Sequence, residues 1–578
     1  MKRIFPLIIL VILSTVTAVA QDYPQRYFSL PLDLDLSLSA TFGEVRPNHY
    51  HSGLDIRTNA EIGHEVFATA EGYVSRINIS PWGGGKIVYI DHPNGYRTVY
   101  MHLNDFCGKI ADWVRRYQYE HQCYSFDINI APGLLPVYKG QLIAHSGNSG
   151  SSGGPHLHYE IRHAHNDQTI NAQLFGLYVP DGVVPTIKGI RIYPADNAAL
   201  VNGKNEPLEI MVPAQRRTRR RKARPATILS PTVNGNFYIG IYATDHSETY
   251  DGNSGVYRIE LRIDDELVYQ FESETFLFED TRSVNAIMDY PLYAETRHPY
   301  ILTRTLPYAP ITSSHPLKGN GIFRLEAGEH TLQYDVYDIN GNHDSKTFTI
   351  TTPAVQKGSA PKAQKTKPRK AQKLRNRYFE ADIPAEALYT IDSVRGDLVS
   401  DGLLVIPTKA DINSPIPPHV PYTLRLALSM VATKAYNNPR QVVVARRSGK
   451  RLIPLSSKQK DGWIEAHPRD FGTFLLTTDT IAPTIAPPKE LTASPESYLT
   501  FNISDNLSGI NTYNCYLNSR WILAEYDGKN AAIYIQLPRT DAPDNEPQLR
   551  QYDNILRIEV SDACGNTTTE EYNLGPNE

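Results

Sequence analysis

The sequence is poor in cysteine and in long apolar runs. Only four of its 578 residues are cysteine, and no two of them form the Cys-x-x-Cys pair that is typical of structural zinc ribbons. Beyond the first twenty residues, no segment is apolar over the roughly 20 residues that a membrane-spanning helix needs. These absences exclude a zinc ribbon and a polytopic membrane protein. With 41% hydrophobic residues, the length suits several globular domains of about 100–200 residues each.

Neither charge is in large excess, since 58 basic residues stand against 62 acidic ones. Two segments, 216–224 and 357–377, contain basic residues and no acidic ones. The rest of the chain is therefore strongly acidic and would repel nucleic acid, so a nucleic-acid-binding protein is disfavoured. We interpret the two basic segments as a solvated loop and a linker; the alternative is attraction to anionic polymers of the cell surface.

The first twenty residues have the pattern of a signal peptide. Lys2 and Arg3 precede an apolar run over residues 4–13, and Ala18-Val-Ala20 has the small-x-small form that signal peptidase cleaves. A membrane anchor is the alternative, but this run is too short to span a bilayer. We predict that residues 1–20 are removed, and that the mature protein is exported to the periplasm or the cell surface without a membrane span.

An oxidising compartment would allow the four cysteines to pair. Cys107 and Cys123 are close in sequence, and Cys515 and Cys564 share the last part of the chain. We expect one disulfide within each pair; four free buried thiols are the alternative.

Alternating polar and apolar residues predict a mainly β protein with an antiparallel sheet in its first domain. Short strands between glycine turns are expected at 72–79, 86–90, 97–102 and 155–163. After the signal peptide at 1–20, the expected order is a first domain at 21–183, a β-sandwich at 184–352, a basic flexible linker at 353–377, a β-rich domain at 378–478 and a second β-sandwich at 479–578.

The two predicted β-sandwiches share an internal repeat. Asp251-Gly-Asn-Ser-Gly-Val256 matches Asp505-Asn-Leu-Ser-Gly-Ile510, and residues 336–342 match 560–566 in the same order. The first copy is longer between its two signatures, which predicts an insertion within 276–320. These units resemble bacterial immunoglobulin-like domains. Their aspartates are expected to cap turns, and calcium binding is the alternative.

Histidine is concentrated in one stretch, because 11 of the 18 histidines lie between residues 49 and 165. His51-Ser-Gly-Leu-Asp55 offers a nitrogen and a carboxylate, and one further histidine would complete a His₂Asp set. Such a set of three protein ligands is typical of catalytic zinc, which keeps a position open for water. In the segment 156–162, strand alternation places four polar residues on one face: His156, His158, Glu160 and Arg162.

Four motifs then occur in the order that is known from one family: His51-x-x-x-Asp55, Tyr100-Met-His102-Leu103, Gly147-Asn-Ser-Gly150 and Gly154-Pro-His156-Leu-His158-Tyr-Glu160. Over residues 41–162 the chain resembles the lysostaphin/LytM-type zinc endopeptidases. The resemblance implies that zinc is held by three residues, His51, Asp55 and His158. It also implies that His102 and His156 assist catalysis beside the metal. His49 competes with His51 as a ligand but lacks its spacing to Asp55.

In this family, zinc activates water and polarises a carbonyl, and a neighbouring imidazole transfers protons. We therefore expect an exported zinc endopeptidase that hydrolyses peptide cross-links of bacterial peptidoglycan, with the β-sandwiches positioning it through cell-envelope polymers or proteins. The alternatives are a non-catalytic wall-binding or amidase-activating module, and a surface scaffold with a vestigial peptidase domain. The segment between Leu103 and Lys139, longer than in most relatives, is the expected side wall of the cleft.

Overall fold

The computed structural model describes residues 23–213, 230–247, 250–310, 313–355, 358, 369–390, 394–399, 409–430, 438–539, 542–543 and 545–575. The predicted signal peptide, the basic segment 216–224 and part of the segment 357–377 lie outside these residues. Within them the protein is mainly β, as the sequence predicts. None of the helices in the described part of the chain is long and apolar enough to cross a membrane.

The first region, residues 23–183, is built on one antiparallel sheet. Its elements are β1 (Leu38–Ala40), β2 (Val45–Arg46), β3 (His49–Tyr50), β4 (Leu54–Arg57), β5 (Glu65–Phe67), β6 (Gly72–Ile79), β7 (Lys86–Asp91), β8 (Tyr96–Leu103), β9 (Asp105–Phe106), α1 (Gly108–His121), β10 (Phe126–Asn129), β11 (Pro136–Val137), β12 (Leu142–His145), β13 (His156–His163), β14 (Gln168–Ile170) and a 3₁₀ turn at Ala172–Phe175. The main sheet has the order β1-β4-β13-β8-β7-β6-β10, and a small sheet has the order β5-β12-β9. The four strands predicted from the sequence are confirmed as β6, β7, β8 and β13.

The central strands of this sheet are buried on both faces. One face packs into the main core, with Tyr100 and Tyr159 fully buried. On the other face, Ile87, Tyr89 and Val99 form a smaller apolar cluster. Polar residues that share this second face with the small cluster are therefore removed from bulk water, which strengthens their mutual interactions.

The expected disulfides are wrong, because all four cysteines are free. Cys107 and Cys123 flank the two ends of α1, whose 14 residues span about 20 Å at 1.5 Å per residue. In the last region, Cys515 lies opposite Ile558 in its ladder, whereas Cys564 follows the far end of that partner strand, some 15–20 Å away. Both separations are far beyond the reach of a disulfide.

The second region, residues 184–352, contains two larger antiparallel sheets. Its elements are β15 (Thr186–Pro194), β16 (Leu200–Val201), β17 (Leu208–Met211), β18 (Val233–Asn234), β19 (Phe237–Ser247), β20 (Tyr250–Ser254), β21 (Arg258–Ile263), β22 (Glu266–Glu272), β23 (Thr275–Leu277), α2 (Val284–Ile287), α3 (Tyr290–Thr296), β24 (Ile301–Leu302), β25 (Ser314–Pro316), β26 (Gly328–Tyr337), β27 (His343–Thr352) and 3₁₀ turns at Phe278–Ser283 and Gly319–Gly321. One sheet has the order β17-β15-β19-β20 and the other β25-β22-β21-β26-β27.

The predicted insertion of the second region reaches back to the first region. Strand β23 pairs with β14, with Phe276 opposite Thr169, so the main sheet of the first region continues into the insertion. The 3₁₀ turn Phe278–Ser283 and the helices α2 and α3 follow directly. This pairing brings the turn next to the first region.

Two further regions each contain a pair of sheets. The third comprises β28 (Gln372–Arg375), β29 (Phe379–Ile383), β30 (Arg395–Val399), β31 (Lys409–Asn413), β32 (Thr423–Ala427), β33 (Val442–Ser448), β34 (Arg451–Pro454), β35 (Ser457–Lys460), β36 (Trp463–Ala466), β37 (Gly472–Thr478) and 3₁₀ turns at Ala385–Ala387, Leu428–Met430 and Pro439–Gln441. The fourth comprises β38 (Thr484–Ala486), β39 (Tyr498–Ser504), β40 (Ile510–Leu517), β41 (Arg520–Ile522), β42 (Ala524–Asp527), β43 (Ala532–Gln536), β44 (Ile555–Asp562) and β45 (Thr567–Asn573). The immunoglobulin-like assignment of the sheet pairs stays a prediction.

Candidate metal centre and its cleft

The three predicted metal ligands meet on neighbouring strands. Asp55 lies on β4 and His158 on β13, and the two residues are directly opposite in the antiparallel ladder. Residues paired in this way project their side chains from the same face of the sheet. His51 lies four residues before Asp55, after β3, where the chain bends towards β4. Gly53 lies within this bend, and a Cβ there would come within 2.4 Å of the backbone oxygen of Tyr159.

One atom of each residue converges on a single point. His51 Nε2 is 2.9 Å from Asp55 Oδ1 and 3.0 Å from His158 Nδ1, and His158 Nδ1 is 2.8 Å from Asp55 Oδ1. All three side chains are buried. The competing candidate His49 is exposed and bonds to the carbonyl oxygen of Pro47, so it does not belong to this cluster.

Each of the three side chains makes a hydrogen bond on the side that faces away from this point. The carbonyl oxygen of Thr41 lies 2.7 Å from His51 Nδ1, and Glu160 Oε1 lies 2.8 Å from His158 Nε2. We assign the ring protons to these two nitrogens, since both partners can only accept. Arg46 donates to Asp55 Oδ2 over 3.1 Å, which leaves Oδ1 directed at the centre.

With these tautomers, two imidazole lone pairs and a carboxylate oxygen face one another. Such an arrangement is repulsive unless a cation or a proton lies between the three atoms. A set of two nitrogens and one oxygen, each supported by an outer hydrogen bond, is the donor chemistry of catalytic zinc sites. The residues present therefore fit the predicted metal.

Burial and neighbouring charges shift the pKa values of the centre in different directions. Burial lowers the pKa of His51. Burial alone would lower the pKa of His158, but its hydrogen bonds to Asp55 and Glu160 raise it to about 9. Burial opposes ionisation of Asp55, yet the imidazoles of His51, His156 and His158 hold the pKa of that carboxyl well below its usual range. A bound cation would take the place of the proton on His158.

Two further histidines flank the centre. The rings of His102, on β8, and His156, on β13, have centroids 4.8 Å apart, and His156 Nε2 is 3.4 Å from Asp55 Oδ1. Their Nδ1 atoms lie 2.9 Å from the carbonyl oxygen of Ser149 and 2.8 Å from that of Gly154. Both Nδ1 atoms therefore carry the proton, and both Nε2 atoms present a lone pair.

His102 is held neutral and in an uncommon backbone conformation. Burial and then the charges of His158 and His156 lower its pKa to about 3. Its φ is +62°, a left-handed value that a non-glycine residue adopts at a cost of about 1 kcal/mol or more. Strain of this kind is often kept where a side chain must be aimed at a functional site.

Comparison with known proteins agrees with this geometry. The family model described as Peptidase family M23 matches residues 49–119, which include His51, Asp55 and His102. The first region carries an M23 peptidase domain. The matched residues end before His156 and His158, which the ladder of β13 with β4 and β8 places in the same site.

Curated relatives match about a fifth to a quarter of the chain. An uncharacterized metalloprotease of Haemophilus influenzae is 35% identical over 119 residues, which are 21% of this chain and 19% of that protein. Peptidoglycan DD-endopeptidase ShyA of Vibrio cholerae is 31% identical over 143 residues, 24% of this chain and 26% of that protein. Lysostaphin of Staphylococcus simulans is 31% identical over 111 residues, 19% of this chain and 17% of that protein. The chain thus spans only about a fifth to a quarter of the length of these relatives.

Two solved structures each cover about a quarter of the chain. The catalytic domain of lysostaphin from Staphylococcus simulans is 25% identical, with a TM-score of 0.17, and covers 22% of this chain and 80% of that one. The catalytic domain of the prophage-encoded M23 protein EnpA from Enterococcus faecalis is 24% identical, with a TM-score of 0.19, and covers 27% of this chain and 99% of that one.

The centre of the M23 domain opens into a cleft of about 940 Å³. Its lining includes the loop residues 83–84 and 151–155 of the M23 domain, and also two residues from the insertion of the second region, Phe278 and Thr281. The Thr281 hydroxyl accepts from the Tyr50 N–H over 2.9 Å. The guanidinium of Arg162 lies 4.1 Å from the centre of the Phe278 ring, and this ring is 42% exposed. The second region therefore supplies a wall of the cleft.

The expected wall between Leu103 and Lys139 is wrong, since none of the residues 104–138 lines the cleft. This segment contains α1, which packs against the fourth region instead. Arg115 donates two hydrogen bonds to Glu546, the Nε–Oε1 distance being 2.7 Å, and Tyr119 contacts Trp521 edge to face, with centroids 5.4 Å apart. Helix α1 is held by contacts with a part of the chain that is distant in sequence. Its position in the fold could therefore not be predicted from the residues around it in the sequence.

Proposed function

We propose that the protein is an exported, zinc-dependent endopeptidase that hydrolyses peptide cross-links of bacterial peptidoglycan. The observation that carries the proposal is the convergence of His51 Nε2, Asp55 Oδ1 and His158 Nδ1 beside two further imidazoles. Relatives of the M23 domain named peptidoglycan DD-endopeptidase support the substrate. An intact donor set favours an enzyme over a non-catalytic wall-binding module.

Zinc held by His51, Asp55 and His158 would supply a Lewis acid that activates water and polarises the scissile carbonyl. Thr41 and Glu160 fix the orientation of the two ligand imidazoles, so little reorganisation is needed when the metal binds. The side chains of His51, Asp55 and His158 are buried, which makes each polar interaction between them stronger.

The remaining two histidines handle protons. The Nε2 of one imidazole takes a proton from the attacking water as its oxygen bonds to the carbonyl carbon, and that proton is later delivered to the amine nitrogen as the C–N bond breaks. The other imidazole, protonated at Nε2 from solvent before the attack, donates a hydrogen bond to the oxyanion as it develops and keeps this proton when the C–N bond breaks. We propose that His102 and His156 share these roles.

The arrangement of the whole chain is part of the proposal. A signal peptide at 1–20 directs export, the M23 domain lies within 21–183, and immunoglobulin-like units at 184–352 and 479–578 flank a basic linker at 353–377 and a β-rich unit at 378–478. The contacts of Phe278 and Arg115 support a role of the later units in shaping and holding the M23 domain.

Digestion of purified sacculi tests the function. The zinc-loaded protein should release muropeptides whose masses identify a cleaved peptide bond, and His51→Ala should release none. The matched control is His49→Ala, two residues away, which should keep both zinc and activity. A wild-type protein that binds zinc and leaves the sacculi intact would refute the enzyme and favour the wall-binding alternative.

A further inference from the structure

Two clusters of three aspartates lie outside the M23 domain's metal centre. In each cluster, one carboxylate oxygen from every member lies within 4.8 Å of the others. The first cluster, in and just before the second region, consists of Asp181, Asp245 and Asp338. The second, in the fourth region, consists of Asp479, Asp505 and Asp562.

The clusters occupy equivalent places in the internal repeat. Asp181 and Asp479 each stand four residues before a proline, and each Oδ1 accepts from the backbone N–H two residues later. Asp245 lies two residues before the end of β19, and Asp505 directly follows β39. In the first cluster, Asp245 therefore takes the place that Asp505 has in the second cluster. Asp245 lies six residues before Asp251, the residue that the sequence match pairs with Asp505.

The third member of each cluster is held by an asparagine. Asn342 donates its side-chain amide to Asp338 Oδ2 and to the backbone oxygen of Asp181. Asn566 makes the same two bonds, to Asp562 Oδ2 and to the backbone oxygen of Asp479. The repeat therefore preserves the spatial arrangement of all three carboxylates.

Turn capping explains most of these hydrogen bonds and leaves one oxygen in each cluster unexplained. Asp245 is 5% exposed, yet its Oδ1 has no hydrogen-bond partner among the described residues. Asp505 is partly buried and uses Oδ2 for two backbone N–H groups, and its buried Oδ1 likewise has no partner in the described part of the chain. An unpaired buried carboxylate oxygen is unfavourable unless a cation or a proton meets it.

The charges and the space at the first cluster point to a cation. Burial, followed by the negative charges of Asp338 and Asp181, raises the pKa of Asp245 to about 7. A cavity of about 50 Å³ is lined by all three aspartates, which is enough for a single ion. Its lining also includes Thr41, whose carbonyl oxygen supports His51.

We propose that each cluster binds one calcium ion. Calcium takes oxygen ligands at 2.3–2.6 Å in irregular geometry, and oxygens up to 4.8 Å apart can all contact one ion of that radius. The donors are all oxygens, which distinguishes both sites from the His₂Asp centre. Waters and backbone oxygens would complete the six to eight ligands that calcium prefers.

Calcium titration of the full-length protein by calorimetry tests the proposal without any activity measurement. The wild type should bind two calcium ions, with dissociation constants on the order of 10⁻⁴–10⁻³ M, the range of extracellular calcium modules. Asp245→Asn and Asp505→Asn should each lose one ion, and the double variant should lose both. Calcium should raise the unfolding temperature of the wild type and not that of the double variant.

The matched control is Asp335→Asn, a buried carboxylate of β26 that bonds to Gln333 outside the cluster; it should keep both ions. The proposal is overturned if the wild type binds no calcium or if the double variant still binds two ions. Magnesium binding as tight as calcium binding would overturn the identity of the ion. If a variant fails to fold, the wild-type stoichiometry and unfolding temperature still decide the question.

Discussion

The floor and the wall of the cleft are built in different ways. The floor consists of His51, Asp55, His102, His156 and His158; the last four are carried by neighbouring strands of one sheet, and His51 lies in the bend that leads into β4. The wall that faces it consists of Phe278 and Thr281, more than a hundred residues later in the chain. The three expected metal ligands of the floor are buried and polar, whereas the Phe278 side chain of the wall is apolar and partly exposed.

This difference separates two tasks. Converging lone pairs on a rigid sheet suit the chemical step, because metal and proton donors must be placed to within fractions of an ångström. An exposed aromatic side chain on a turn suits contact with a substrate chain. We therefore expect substitutions in the floor to abolish catalysis, and substitutions in the wall to alter substrate binding.

The largest effect is expected for a metal ligand. His158→Ala removes one of the three protein donors, so zinc binding and hydrolysis should both fall below detection. Zinc content by mass spectrometry and sacculus digestion measure the two losses. His163→Ala, at the far end of the same strand and stacked on Tyr96, is the control and should behave as wild type. A zinc-loaded His158→Ala protein would contradict the ligand assignment.

The two flanking histidines should show a smaller loss with the metal retained. His102→Ala and His156→Ala should each lower kcat by roughly 10²–10⁴, the usual contribution of a positioned acid or base. The double variant should lose less than the product of the two effects, since both residues serve one transition state. If either variant loses its zinc, that histidine is a ligand and the assignment of roles must change.

Loss of the Glu160 carboxylate, which hydrogen-bonds to His158, is expected to lower zinc binding less than loss of His158 itself. Glu160→Gln keeps the shape of the side chain and removes its charge, so zinc affinity should fall by about 10- to 100-fold. Competition with a chromogenic chelator measures this affinity. Arg162 loses its buried partner as well, so the unfolding temperature should also fall. Glu65→Gln, on an exposed position of β5, is the control; equal zinc affinity in both variants would show that Glu160 has no supporting role.

The floor could be predicted from the sequence because its signals are local. The spacing from His51 to Asp55 and the alternation from His156 to Glu160 are short-range patterns, and adjacent antiparallel strands convert them directly into shared faces. The strands β6, β7, β8 and β13 were predictable for the same reason. Glycine turns mark where each of these strands begins.

The wall could not be predicted, because it depends on contacts between distant parts of the chain. An insertion within 276–320 was visible as extra length, but the pairing of β23 with β14 has no sequence signal. The expected disulfides were wrong because the proximity of Cys107 and Cys123 in sequence was taken as proximity in space. A helix of 14 residues separates them. Likewise, Asp245 takes the cluster position that the sequence match gives to Asp251.

The smallest effect is expected for the wall. Phe278→Ala removes apolar surface on which a substrate chain could lie, so KM should rise roughly three- to tenfold while kcat and zinc affinity stay close to wild type. The KM of Phe278→Leu should lie between the values of the wild type and of Phe278→Ala, because leucine keeps part of the apolar surface. Steady-state kinetics on a soluble cross-linked peptide measures KM and kcat. Tyr552→Ala, an exposed aromatic residue in the fourth region, should change neither value. An unchanged KM for Phe278→Ala would show that the wall does not contribute to substrate binding. A fall in kcat together with loss of zinc would show that Phe278 acts on the metal ligands through Arg162 and Glu160.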